Sequence, residues 1–540
     1  MNLLHYQNSD SNQLKLVETL PNSFSSPVKT LFTIDDNHQN WYFVVYNSLG
    51  FVSSELVCIH LQTNLSQWCI KDNDGIHIDD IQINSVWAMD KLMTDRFEVC
   101  FVAHLKALSL AEYSVGICEE SRPSMKIQTS SVTLYNFGDN PKFSSNDIIS
   151  VEETPIEIQM ESDDIELTFS GADAMLRKVS INGNILNLRM KFMTYGTRSG
   201  KKVQKSGAYI FLPDNEDAQD LVYSNPKIRI TKGSIVTKFE AILEKPIPIR
   251  HEISLIKGKK YLQMENEFFL GQNSFSNKEL MIRFFTDIQN EDIFYTDLNG
   301  FQMIERKRFQ KIPIQGNIYP MSTTVYIEDI NNRLSILSGQ PLGTTSPRSG
   351  WVDIFLDRRL LQDDQRGLNQ GVLDNRKTKE VFKILLEKGV TLPKGVPKGK
   401  TNSIEALKPT LYSQLELQKL LTPPTLMYTT IKSTISEIYF MRQSMPCALH
   451  LMNLRRPSTA NTFDLFVHRF GVNCQTKCAN DSSLELTQVF SPIVIKPLEP
   501  LISRMSLSLL HEIESDLSID KKLNVEEMNV NVYRLRTRGN

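Results

Sequence analysis

Residues 180–192 read SINGNILNLRMKF. In an extended chain Leu186, Leu188, Met190 and Phe192 fall on one side and Asn187, Arg189 and Lys191 on the other, the period of two that marks a half-buried β-strand. The Asn182-Gly183 pair just ahead suits a type I′ turn, whose two central residues take positive φ, so a partner strand is expected before it. The same strand, turn, strand form recurs in KIRITKGSIVTKFEAIL (residues 227–243) and EISLIKGKKYLQMENEF (residues 252–268), each bending at a Lys-Gly pair. Alternation of this kind dominates from residue 40 onward, which predicts several antiparallel sheets in succession.

Helical patterning is scarce. TKEVFKILLEK (residues 378–388) places Val381, Phe382, Leu385 and Leu386 on one stripe, and LSLLHEIESDL (residues 507–517) does the same, so two short helices are predicted there. KGVPKGKTN (residues 394–402) has the content of an exposed loop, and the acidic stretch 152–164 is suited to joining two domains. No repeat with a period of roughly 20–50 residues is present, which disfavours a solenoid or propeller. The expected fold class is all-β with short helical remnants. The predicted layout is the remnant of a helical linker region over 1–30, a small immunoglobulin-like β-sandwich over 31–140 and a large multi-sheet β-sandwich over 150–540.

The 60 basic and 62 acidic side chains nearly cancel, so no global field exists to hold a polyanion, and nucleic acid is not an expected partner. Seven cysteines are too few for a dense disulfide framework, and Cys474 and Cys478 have no second pair to complete a metal site, so they read as a surface loop, reduced or bridged. The first thirty residues lack a basic start followed by an apolar run, which predicts no targeting signal. The apolar segment 41–61 is interrupted by Asn47, Gly50 and Glu55, short of the roughly 18 uninterrupted residues a membrane helix needs, and reads as two buried strands. Asn-x-Ser sequons stand at Asn64 and Asn480.

Charge concentrates in LDRRLLQDDQRGLNQGVLDNR (residues 356–376), a run broken by Gly367 and Gly371. Asp363 and Asp364 are adjacent, so on a strand they face opposite ways, whereas a retaining glycosidase needs two carboxyl groups about 5–5.5 Å apart. Arg366 beside Gly367 puts a planar donor fork on a freely turning backbone, suited to a carboxylate or a pair of sugar hydroxyls. The alternative is a loop whose Arg358, Arg359, Asp363, Asp364 and Arg366 pair among themselves. Tyr209 in KSGAYIFLPD and Tyr295 in FYTDLNGFQ are candidates for aromatic contact with a sugar, or for packing in a strand. His77 and Asp79 form a weak metal-ligand pair, since no other histidine is near in sequence. No Gly-x-Ser-x-Gly elbow and no phosphate-cradling loop occurs.

Seven blocks in order, FVVYNSLG, MTYGT, KSGAYIFLPD, FYTDLNGFQM, IPIQGNIYPMSTTVYIED, LSGQPLGTTSPRSGWVDIFLDRRLLQDDQRGLNQGVLDN and FKILLEK, run from residue 43 to residue 388. Together they resemble glycoside hydrolase family 38, the zinc-dependent retaining α-mannosidases, and RGLNQGVLDN is similar to the Golgi α-mannosidase II group more than to the lysosomal type. The resemblance is to the half that follows the catalytic domain. In that family two histidines and two aspartates hold zinc, one of the aspartates being the nucleophile, and a further aspartate acts as acid and base. No HNDPGW-like or HHDA-like string is present here. The resemblance therefore implies no catalytic residue, no metal ligand and no cofactor in this chain, the zinc belonging to the full-length family. It implies that Tyr209 and Arg366 contact the sugar, with Asp363, Asp364 and Gly367 supporting the loop; Gln365 stands where the family often has Asn or Gly. The implied function is that of the C-terminal part of an α-mannosidase that trims mannose-containing N-glycans, the chain alone being inactive. The implied partner is a catalytic domain in cis or in trans, and the implied location is the Golgi lumen if the chain is part of a full-length enzyme. The rival class is a non-catalytic carbohydrate-binding or scaffold protein derived from such an enzyme.

Overall fold

A computed structural model describes residues 14–19, 28–35, 39–63, 68–118, 126–138, 148–181, 183–198, 204–271, 275–389, 408–432, 437–456, 462–472, 483–490, 501–517 and 522–536. The stretch 41–61 does form two buried strands, Asn40–Asn47 and Ser53–Thr63. Asn47 makes the bend between them, its Nδ2 donating to the Phe51 carbonyl (3.0 Å) and the Lys106 carbonyl (2.8 Å). The two strands enter opposite sheets of a small sandwich. One is built on Asn40–Asn47, Ser109–Ile117 and Trp68–Lys71, the other on Asp80–Ala88, Lys91–Leu105, Ser53–Thr63 and Leu31–Ile34. Phe32, Phe43, Val45, Ile59, Val99 and Phe101 fill the space between. Disulfides join Cys58 to Cys100 and Cys69 to Cys118. The chain later returns to this sandwich: Thr425–Thr429 pairs with Asn40–Asn47, and Glu437–Tyr439 with Ser109–Ile117.

The large sandwich has a long sheet of eleven strands on one side. Facing it are a four-stranded hairpin sheet and a six-stranded outer sheet, which share one core with it. The predicted hairpins at 227–243 and 252–268 form the strand pairs Lys227–Lys232 with Val236–Leu243 and Ile249–Ile256 with Leu262–Phe268, all in the long sheet. Phe169 of the hairpin sheet stacks on Phe239 of the long sheet at 3.7 Å between ring centroids. The alternation over 186–192 is real in burial but is not one strand. Asn184–Leu186 closes the hairpin sheet and Arg189–Gly196 belongs to the outer sheet, with the Leu188 amide turning back to the Leu186 carbonyl at 2.9 Å. Leu186, Leu188, Met190 and Phe192 are all buried, because both sheets back onto the same apolar layer.

Thr378–Lys388, predicted as a helix, is a strand of the long sheet, antiparallel to Leu262–Phe268 and to Asn332–Ser338. Phe382 and Ile384 enter the main core, while Leu385 packs on the other face with Tyr261, Leu337 and Leu417. With both faces covered, apolar residues stand at consecutive positions, and periodicity cannot separate such a run from a buried helix. Glu512–Leu517, inside the second predicted helix, is also a strand, and Leu509 just before it sits at φ 63°, which no right-handed helix tolerates. Among the described residues the α-helices are Leu411–Leu421, capped by Thr410 accepting from the Ser413 amide, and the short Leu486–Val489. Within 1–30 the described residues form short strands where a helical remnant was expected. The acidic stretch 152–164 is largely the hairpin strand Glu157–Ser162. Residues 394–402, Cys474 and Cys478, and both sequons lie outside the described residues.

A third core belongs to the C-terminal sheet of Leu449–Arg455, Thr462–Arg469, Val530–Arg536, Leu501–Met505 and Glu512–Leu517, which meets Ala107 and Leu108 of the small sandwich. Its His468 packs edge-on against Phe301 (4.6 Å), in the turn joining Ile293–Leu298 to Gln302–Lys307 of the long sheet, and lies 6.4 Å from His450. Burial pushes both imidazoles down to about 4.

Phe382→Ala is expected to lower unfolding free energy by about 3–5 kcal/mol, read as a lower urea midpoint, because the site has neighbours on all sides and cannot collapse. The histidine pair predicts a pH effect. The unfolded chain protonates these groups below about 6.5 whereas the folded chain resists until about 4, so their contribution is complete above that range and is lost as pH falls through it. His468→Phe should flatten that part of the urea-midpoint profile between about pH 7 and about pH 5.

Candidate functional site

The outer sheet carries a polar row on the side away from the main core. Strand register aligns Tyr195, Glu279 and Arg358, and the neighbouring row holds Met193, Met281 and Phe355. Segment 206–213 packs on this side through Phe211, whose ring meets Tyr195 and Phe355, each at 5.4 Å. The segment is a closed turn. Ser206 Oγ donates to the Leu212 carbonyl (3.0 Å) and accepts from its amide (2.7 Å), and the Gly207 amide donates to the Ile210 carbonyl (3.0 Å). Tyr209 therefore stands at the tip, 66 % exposed, rather than packed in a strand. Tyr295 takes the packing role instead, buried and stacked on Tyr326 at 4.6 Å.

The second loop leaves the end of the strand Trp351–Arg359 and is pinched at its neck by paired hydrogen bonds between Leu360 and Val372 (3.1 and 2.8 Å). Asp364, nearly buried, bridges the two loops. Its Oδ2 accepts from the amides of Tyr209 (2.7 Å) and Ile210 (3.2 Å), and its Oδ1 from the amide of Arg366 (3.2 Å). Gly207 makes room for this contact: a Cβ there would lie 2.4 Å from Asp364 Cβ and 2.6 Å from its amide nitrogen. Asp363 caps its own turn by accepting from the Gln365 amide at 2.9 Å. Gln365 and Gly367 both take positive φ, 60° and 104°, which turns the backbone so that Arg366 faces outward. Its guanidinium has no partner among the described residues.

The arginines and aspartates of 356–376 do not simply pair with one another. Arg358 Nη2 donates to Glu279 Oε1 (2.6 Å) and to the Ile210 carbonyl (3.2 Å). Arg359 donates to Asn375 Oδ1 (3.1 Å), and Asn375 Nδ2 donates to Asp357 Oδ2 (3.0 Å) and to the Arg358 carbonyl (2.8 Å). Burial pushes the Glu279 carboxyl up to about 7 although Arg358 opposes the shift, and burial likewise raises Asp357. The residues missed from sequence are Gly207, Phe211, Glu279 and Asn375, while Arg358, expected to pair within its own loop, reaches Glu279 and the Ile210 carbonyl instead. Only Gly207 had a local sign, its place in a run of small residues before Tyr209. Glu279 shares no stretch with either loop and is joined to them by sheet register alone.

The donor sets present do not fit the zinc that the resemblance assigns to the full-length family. Among the described residues, the clusters with ligand spacing are Cys69, His77 and Cys118, and Cys58, Glu98 and Cys100. Their sulfurs are consumed in disulfides and offer no thiolate. Asp79, the other half of the weak pair read from sequence, is exposed and outside both clusters.

Residues 161–366 match the family model described as Glycosyl hydrolases family 38 C-terminal domain, a range that includes both Tyr209 and Arg366. The chain is 29 % identical over 562 residues to Alpha-mannosidase 2 of Mus musculus, covering 99 % of this chain and 47 % of the relative. It is 30 % identical over 508 residues to Alpha-mannosidase 2 of Arabidopsis thaliana, covering 83 % and 41 %. The chain thus spans about half the length of the curated relatives it matches. Among solved structures, an α-mannosidase from Enterococcus faecalis V583 superposes with a TM-score of 0.60 at 11 % identity over 92 % of this chain and 56 % of that one, a likeness of fold.

Asp364→Ala removes the acceptor of three backbone amides and is expected to cost about 1–3 kcal/mol. Asp364→Asn, which keeps one acceptor oxygen, should cost less. Urea midpoints and the rate of proteolytic nicking within 206–213 and 361–372 measure both.

Proposed function

We propose, on the premise that residues 161–366 form the C-terminal domain of glycosyl hydrolases family 38, that this chain is the β-rich part of an α-mannosidase and grips mannose-containing N-glycans. The observation that carries the reading is the shared carboxylate. Tyr209 and Asp364 are 155 residues apart in sequence, yet Asp364 holds the Tyr209 and Arg366 amides together while both side chains face outward. A phenol and a guanidinium fork carried outward from two turns that share one carboxylate suit the hydroxyls of a hexose. Asp363, Asp364 and Gly367 support the loop. Bond cleavage belongs to zinc-dependent machinery in a catalytic domain, joined in cis or in trans, since the carboxylates here are committed to backbone amides. Exposed Leu361, Leu368 and Leu373 beside the site favour contact with such a domain. Disulfides at Cys58, Cys69 and Cys447 fit an oxidising compartment, which supports the Golgi lumen as the location. The working units are the sandwich 31–140, completed by Lys15–Leu16 from 1–30 and by Thr425–Thr429 and Glu437–Tyr439, and the remainder of 150–540, whose C-terminal sheet has a core of its own.

In the protein joined to a family 38 catalytic half, Arg366→Ala and Tyr209→Phe are each expected to lower kcat/KM for 4-nitrophenyl α-mannoside by about tenfold or more, with thermal unfolding unchanged. Kinetics equal to those of the parent in both variants would overturn the reading.

A further inference from the structure

We propose that Glu279 and Arg358 form a positioning couple for Tyr209, holding the Ile210 carbonyl down on the outer sheet and releasing it when Glu279 takes up a proton. The inference rests on the reading that Tyr209 faces the ligand and adds control over where that side chain stands.

The geometry is a relay of two hydrogen bonds made by one nitrogen, from Glu279 Oε1 through Arg358 Nη2 to the Ile210 carbonyl. Ile210 directly follows Tyr209, so the height of that carbonyl above the sheet sets the height of the tip. Asp364 fixes the same two residues from the other side through their amides. The turn is thus held by one clamp on its donors and another on its acceptor.

The two clamps differ in what surrounds their carboxylates. Asp364 accepts three amides and needs no counter-charge. Glu279 is buried with Arg358 as its cation, and Asp357 on the same strand as Arg358 pushes against its charge. Asp357 in turn feels Asp374, and Glu380 of the long sheet feels Asp357. On the other flank Tyr195 stands in register with Glu279, its phenol turned toward Asp353 and Arg283. Lys278 is next along the strand and points to the opposite side, in register with Arg359. A buried carboxylate with one cation among like charges gives up its charge near neutrality, and Glu279 is pushed up to about 7. Protonation removes the ionic part of its bond to Arg358, and the guanidinium loses the partner that fixes its plane toward Ile210.

The sign of the effect separates positioning from bulk stability. A carboxylate raised in the folded state makes the whole fold more stable as pH falls from about 7 toward about 4.5, whereas the couple makes the turn looser over the same window. Hydrogen exchange read by mass spectrometry on the whole chain distinguishes the two. Peptides spanning 206–213 are compared at about pH 6 and about pH 8 after correction for intrinsic exchange, straddling the Glu279 value. In the parent chain, corrected uptake there is expected to be about tenfold faster at the lower pH, the factor set by roughly 1.4 kcal/mol. Glu279→Gln and Arg358→Lys should be fast at both, while peptides from Ile249–Ile256 do not change. Equal corrected uptake at the two pH values in the parent, or parental pH dependence retained in Glu279→Gln, overturns the proposal. Should Glu279→Gln fail to fold, Glu279→Asp replaces it, and a transition at the parental pH in that variant overturns the proposal equally. No sugar is present in this assay, so full activity of Tyr209→Phe would sink the glycan reading without touching the couple.

Discussion

The apolar layer trapped between the long sheet and the two smaller sheets is the constraint from which the rest of the molecule follows. Leu167, Phe169, Leu188, Phe192, Phe239, Ile282 and Phe382 come from all three sheets and fill the space between them, where His251 and Asn266 of the long sheet hydrogen-bond to each other at 2.7 Å. The Arg283–Asp353 pair in the middle of the outer sheet, bidentate at 2.6 and 2.7 Å, alternates with the core residues Ile282, Phe284, Val352 and Ile354 and so faces away from that layer. The outward side of that sheet is left to a polar row, where Tyr195, Glu279 and Arg358 stand in register and where two loops cross.

How much of this was legible in the sequence depended on how many faces of each element are covered. Leu262–Phe268 announced itself, since fully and partly buried residues alternate along its length, whereas Glu157–Ser162 alternates as clearly but reads as a joining stretch because its exposed positions are mostly acidic. Thr378–Lys388 did not announce itself, since a strand covered on both sides loses the period that would identify it. Leu411–Leu421 was missed for the converse reason, with polar Ser413, Gln414, Glu416 and Gln418 among its buried residues. Glu416 is buried against Lys383 at 2.7 Å, a pairing that no local pattern reveals. At the site, the resemblance to family 38 singled out Tyr209, Arg366 and Asp364 within their blocks. The supports came from register: Glu279 reaches the turn because its strand lies between Arg189–Gly196 and Trp351–Arg359.

Within the proposed reading, the two loops divide their work by rigidity. The phenol sits on a turn locked by Ser206, Gly207 and Phe211 against the sheet, while the guanidinium extends from a loop pinned only at its neck and at Asp364. A rigid aromatic contact loses little entropy on meeting a ligand, and a longer cationic side chain adapts to where the hydroxyls fall.

The return of the chain to its first sandwich has a consequence for biogenesis. Thr425–Thr429 supplies the edge partner of Asn40–Asn47, and Glu437–Tyr439 that of Ser109–Ile117. During synthesis the amino-terminal lobe therefore emerges with raw sheet borders, which stay open to adventitious pairing while the whole large sandwich is being made. The lobe is complete only when residues 425–439 have left the ribosome, so its maturation waits for the large sandwich to be made, and the disulfides within it lock a framework whose rim is finished late.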